Sequence, residues 1–253
     1  GVGCEQTCLI QTPLPAYFLF ITPHRQTSME KGTLVEFRIN SDRRLAVADR
    51  PEGKKHWIVT DERGQNHTLH PREVTYEVSG QTFKPAEIAP FLKEVEPLLD
   101  PSSLEVAWEI LTETGESTNP PEMAQLLFSD QSPPMCYAAH YLLSQDKLYF
   151  KQKGDRYEAR PAAQVAELKR QQDLEAQRQR EWQDFLTRIQ QALNGEVIKW
   201  QPSDRARLDS LERFATFGEE ATNRTPAIET LTALKRLETS QAAFQLLIEL
   251  GLW

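Results

Sequence analysis

The sequence is poor in cysteine and glycine and has no long apolar run. Cysteine occurs three times in 253 residues, at Cys4, Cys8 and Cys136. A sparse, odd count is not a disulfide framework and fits a reducing compartment. Cys4 and Cys8 are spaced like half a metal site, yet no second Cys/His pair follows at a suitable distance, so no metal or other cofactor is expected in this stretch. Cys136 sits in an apolar helical segment, where a buried thiol is the ordinary expectation. The eleven glycines are dispersed and form neither GxGxxG nor GxxxxGKS/T. GxSxG, HExxH and CxxC are absent too, so no recognisable catalytic machinery is carried here. The one strongly apolar run near the start, Ala16 to Ile21, is too short for a membrane span. It also follows no basic region, which makes it a poor signal peptide. The reading is of a cytoplasmic protein without a membrane partner.

Positive charge is also in deficit. Lys and Arg number 29 against 37 Asp and Glu, a net −8. Bulk charge of that sign does not coat nucleic acid, so any contact with it must come from a local basic patch. The acids fall mostly on helix faces, as in Glu94/Glu96 and Glu105/Glu109, where solvation is their default role. Glu109 and Glu113 are spaced i, i+4 but have no partner cluster to make a metal site.

What is present divides into modules, giving an α+β, multi-module fold. Residues 1–28 show no strand or helix period and are interrupted by Pro13, Pro15 and Pro23. They read as a disordered tail, or as upstream sequence ahead of a true start at Met29, the second being preferred. Over 29–80, short β-rich runs carry Leu34, Phe37, Ile39, Leu45, Val47, Trp57, Val59 and Leu69. Asn40-Ser41-Asp42, Asp49-Arg50-Pro51-Glu52-Gly53 and Asp61-Glu62-Arg63-Gly64 separate them as hairpin connections. Strands this short and few bury enough surface only by closing, which points to a small SH3-like β-barrel.

From 84 to 160 the pattern is helical and then a hairpin, and three helices followed by a hairpin is the order of a winged helix-turn-helix. Pro85, Asp100-Pro101, Asn119-Pro120 and Ser132-Pro133-Pro134 mark the helix starts. Lys147 to Lys151 and Arg156 to Arg160 form the wing. Over 161–253 a long helix runs to Leu193 and stops at Gly195. Three shorter helices, announced by Ser203, Thr225-Pro226 and Thr239, follow as a small helical unit.

Two clusters of cations are candidates for nucleic acid. In the barrel, Arg43-Arg44 lies by the first turn, and Lys54-Lys55 with Arg50 and His56 flanks the second. Loops gathered at one end of a barrel would meet phosphates, with Trp57 or His56 as a stacking face. In the wing, Lys147, Lys151, Lys153, Arg156 and Arg160 stand against Asp155 and Glu158 alone, the clearest basic patch in the chain. A wing commonly reaches the backbone of a nucleic acid. The helix from Pro133 to Leu143 has no Arg or Lys to read guanine, which argues against sequence-specific DNA binding.

Whole stretches then carry a resemblance. Met29-Glu30-Lys31-Gly32-Thr33-Leu34-Val35-Glu36-Phe37, Asp49 to Lys55, and Asp100-Pro101-Ser102-Ser103-Leu104-Glu105-Val106-Ala107-Trp108 resemble the N-terminal region of ribonuclease II/R (RNB) family proteins of the cyanobacterial type. Ser132-Pro133-Pro134, Lys147 to Lys151 and Gln201 to Arg207 belong to the same picture. The resemblance implies Mg²⁺-dependent 3′→5′ hydrolysis of single-stranded RNA, in a catalytic domain beyond Trp253 where the metal is held. It transfers no catalytic or metal residue to any position here. The implied partners are single-stranded RNA and the protein's own catalytic domain. The competing reading is a docking scaffold without RNA contact.

Overall fold

The computed structural model describes residues 29–253; the reading of 1–28, with Cys4 and Cys8, lies outside the described residues. Five strands form one antiparallel sheet: β1 (Leu34–Ile39), β2 (Asp42–Glu52), β3 (His56–Asp61), β4 (Asn66–Leu69) and β5 (Tyr76–Val78). Their order is β4-β3-β2-β1-β5. A meander of four strands is followed by a 3-10 turn at Pro71–Glu73, and the fifth strand then returns to flank β1. Asn40 and Ser41 take positive φ in the first turn, as a tight hairpin requires.

The second turn departs from expectation. Asp49 to Glu52 continue β2, and the chain reverses only at Gly53-Lys54-Lys55. A bulge between Ala48 and Arg50 absorbs the extra residue. Pro51 is tolerated because β1 pairs with β2 only as far as Val47, leaving this end of β2 with β3 as its sole strand neighbour.

Alternation along β1 and β2 sends side chains to two separate cores. Val35, Phe37, Ala46, Ala48, Val59 and Leu69 fill the inner face with Met29. Leu34, Leu45, Val47, Tyr76 and Val78 point outward but are equally buried. They are covered by α1 (Ile88–Val95), through Ile88, Phe91 and Val95, and by α4 (Pro133–Gln145), through Tyr137 and Ala138. Between these helices come α2 (Ser103–Thr114) and α3 (Pro120–Phe128). Asn119 caps α3, its side chain accepting from the Glu122 amide at 2.9 Å while the Glu122 carboxylate accepts from the Asn119 amide at 3.2 Å.

The wing is β6 (Phe150–Lys153) and β7 (Arg156–Ala159), and α5 (Ala162–Leu193) follows it. Gly195, with φ at +85°, makes the left-handed step that ends the helix. α6 (Arg205–Phe217), α7 (Thr225–Ala233) and α8 (Ser240–Glu249) pack on the last turns of α5. Phe185, Ile189, Leu211, Phe214, Leu231 and Leu246 are their shared core. Asp204, fully buried, accepts two bonds from the Arg188 guanidinium at 2.8 and 2.7 Å and one from the Gln201 amide. The described residues divide into two compact units, one made of the residues up to Ala107 together with Thr118–Gln145, the other of Trp108–Ser117 and Asp146–Trp253. The winged-helix segment therefore contributes to both.

Candidate nucleic-acid interface

In the wing, strand register decides which cations act together. Lys151 lies opposite Glu158, and Lys153 opposite Arg156. A period of two puts all four on one face, while Phe150 and Tyr157 are buried. Lys151 and Lys153 are exposed, and Lys153 makes only a solvent-exposed pair with Glu158 at 3.1 Å. Such a pair holds less than about 1 kcal/mol and yields readily to a phosphate. Arg156 is more constrained: Nε donates to Ser117 Oγ at 2.6 Å and Nη2 to the Ser117 carbonyl at 2.7 Å.

The base of the wing is fixed by two devices. Asp146 accepts from the amides of Leu148, Tyr149 and Phe150, the last at 2.7 Å. This is why regular pairing starts at Phe150 and not at Lys147, as the sequence pattern had it. Lys147 is exposed in that turn, outside the four-residue face. The Trp108 indole donates to the Arg160 carbonyl at 2.8 Å, while Arg160 Nε donates to the Phe150 carbonyl at 3.2 Å. Arg160 thus serves the wing's own architecture.

The barrel cations are not gathered. Successive turns of an antiparallel meander fall at opposite ends of the sheet. Arg43 and Arg44 sit by the β1–β2 turn, and Lys54 and Lys55 by the β2–β3 turn at the other end. The expectation of one loop cluster is corrected on that ground. Arg44, Lys54 and Lys55 are exposed. Arg43 is not, and its guanidinium is committed internally.

That commitment is to Glu36, a carboxylate 1% exposed on the outer face of β1. It accepts from Arg43 Nη1 at 2.7 Å, Tyr137 OH at 2.7 Å, His140 Nε2 at 3.0 Å and Thr75 Oγ1 at 2.7 Å. Burial pushes the Glu36 carboxyl up, but the His140 bond and charge and the Thr75 and Tyr137 hydroxyls outweigh it, holding the group at about 2. Burial, reinforced by the Glu36 charge, drives the Tyr137 phenol far above its usual range, so it remains a neutral donor. Arg43 also bonds Ser144 and lies 4.2 Å from the Tyr141 ring centroid. One buried anion thus fastens α4 to the sheet.

This missed network settles the role of α4. Tyr137, Ala138, Ala139, His140, Leu142 and Leu143 are buried and the other residues, Gln145 apart, are half-buried, so much of the helix in the recognition position is spent on packing. Glu36 gives no signal in sequence beyond a single acid between Val35 and Phe37. Its partners on α4 are 101 and 104 positions away.

Three domain models cover the described chain end to end: a CSD-like barrel domain over 29–88, a ribonuclease II winged helix domain over 90–164 and a double HTH domain over 165–253. The chain belongs to the ribonuclease II family. Within it, an uncharacterized ribonuclease of Synechocystis sp. is 52% identical over 225 residues, 89% of this chain and 34% of that protein. A ribonuclease II of Arabidopsis thaliana, named chloroplastic/mitochondrial, is 34% identical over 239 residues, 88% of this chain and 30% of that protein. The chain spans about a third of the length of these curated relatives. No solved structure matches it. The long helix and small helical unit read from sequence after the wing match the double HTH domain model. Among the described residues no group of three or more His, Cys, Asp or Glu could hold a metal ion. No hydrolytic step is assigned to these residues. No helix among them is long and apolar enough to cross a membrane.

Proposed function

We propose that this chain is the RNA-engaging front of a cytoplasmic ribonuclease II-type exoribonuclease. Mg²⁺-dependent 3′→5′ hydrolysis then belongs to a catalytic region of the kind that would account for the relatives' extra length. The observation that carries the reading is the exposed wing face of Lys151 and Lys153, a local positive surface in an acidic protein. Cations on a stiff two-stranded ribbon meet phosphates without reading bases, as suits a nuclease acting on many sequences. The packing of α4 supports the same choice over a sequence-specific DNA regulator, since the helix in that position carries no Arg or Lys and buries nearly half of its residues. The test is fluorescence anisotropy of a labelled single-stranded RNA at low salt. The expected result is saturable binding, lost when Lys151 and Lys153 are both changed to Glu. Absence of binding at low salt would contradict it.

A second reading has its own observation. Phe217, Leu237, Phe244, Ile248 and Trp253 are exposed to 62, 77, 44, 42 and 49%. Apolar surface of this kind on the helical unit favours a docking role for that unit alongside, or in place of, RNA contact.

A further inference from the structure

Where the first and third turns of the sheet approach α1 and α4, a half-open groove of about 410 Å³ lies within the unit containing the barrel. That volume is in the range of small-ligand pockets. Its floor is apolar, formed by Leu45, Ile88, Val95 and Leu99. Tyr141 contributes an aromatic ring to the wall. Three exposed cations, Arg44, Arg63 and Lys93, stand at the rim, and none has an ion pair among the described residues.

The rim narrows the occupant. Arg43 lines the wall, but Nη1 and Nη2 are bonded to Glu36 and Ser144 and Nε is enclosed by protein, so the cations open to a ligand are those of the rim. Of the acids nearby, Asp61 is already engaged by the amides of Arg63 and Gln65 and by His67, each at 2.9 Å. Glu62 and Glu96 remain, so the rim is mixed in sign and suits one phosphate better than a polyanionic track.

We propose that this groove binds a single nucleoside phosphate unit. The base lies on the apolar floor beside Tyr141, and the phosphate meets Arg44, Arg63 and Lys93. An apolar, aromatic surface tolerates any base, and the cations supply the backbone contact. The inference rests on the reading that the chain engages RNA. The same chemistry is offered by a nucleotide within RNA and by a free mononucleotide.

Titration calorimetry of the full chain with uridine monophosphate and with an eight-residue oligouridylate separates these cases. Three variants accompany the wild type: Leu92→Trp, which fills the groove from α1; Arg44→Ala, an exposed change that guards against misfolding; and the paired wing change Lys151→Glu with Lys153→Glu. Saturable binding of the monophosphate is expected, weakened at least tenfold by Leu92→Trp, weakened also by Arg44→Ala, and unmoved by the wing change. If Leu92→Trp weakens the oligonucleotide too, the groove is an RNA subsite; if it does not, the groove takes free nucleotide. Failure of the monophosphate to bind, or indifference to Leu92→Trp, overturns the groove. Should the oligonucleotide still bind through the wing in that event, the RNA reading stands. An oligonucleotide that does not bind at all removes the RNA reading instead.

Discussion

At the scale of single residues, Glu36 is the most consequential side chain. Removing one partner of a buried ion pair leaves an uncompensated charge and costs about 3–5 kcal/mol. Glu36→Ala, which strands Arg43, is therefore expected to lower the urea midpoint sharply, and Tyr137→Phe to cost about 1–3 kcal/mol. The pH dependence follows from the sign of the shift. The folded carboxyl is held at about 2 against an ordinary 4.5, so its contribution is present above pH 4.5 and is lost as pH falls toward 2. That difference corresponds to roughly 3 kcal/mol at most. Unfolding curves between pH 6 and pH 3 should show the loss, and Glu36→Gln should flatten it. Equal acid sensitivity in that variant would contradict the assignment. None of this was legible in sequence. Alternation in β1 identifies which residues share a face, but not that α4 covers both Leu34 and Glu36. Arg43 read as a free turn cation for the same reason.

Among the elements, those whose ends are set by neighbouring residues were legible, and those set by distant packing were not. Asn119-Pro120 and Thr239 announced α3 and α8 because a cap is made within three residues, and Ser132-Pro133-Pro134 announced α4 because Pro suits the first helical turn. Asn119→Ala is expected to cost about 1 kcal/mol, measurable by thermal unfolding. The end of β2 was placed too early, since Pro51 ordinarily marks a turn and only pairing with β3 alone permits it in a strand. The wing began late because Asp146 holds three amides first. Asp146→Ala should cost about 1–3 kcal/mol and loosen the ribbon, with RNA affinity falling although no cation is removed. Unchanged affinity would mean the wing's geometry is irrelevant to binding.

For the whole molecule, the order of modules was legible because hydrophobic period changes from two to about 3.6 and then stays helical through α5. What remained hidden was how one module closes another: α1 and α4 complete the outer core of the sheet, while the wing belongs with the long helix. The basic wing face was visible as a local excess of Lys and Arg, and the structure puts Lys151, Lys153 and Arg156 on one side of it while tying Arg156 to Ser117. RNA contact through that face is the central claim. The direct measurement is the salt dependence of single-stranded RNA binding by the wild type and by the paired Lys151→Glu, Lys153→Glu variant. Each phosphate contact on a single strand contributes about 0.7 to the log–log slope, so losing two should lower it by about 1.4 and leave the unfolding midpoint nearly unchanged. A slope and affinity identical to wild type would place RNA elsewhere on the protein, or nowhere on it.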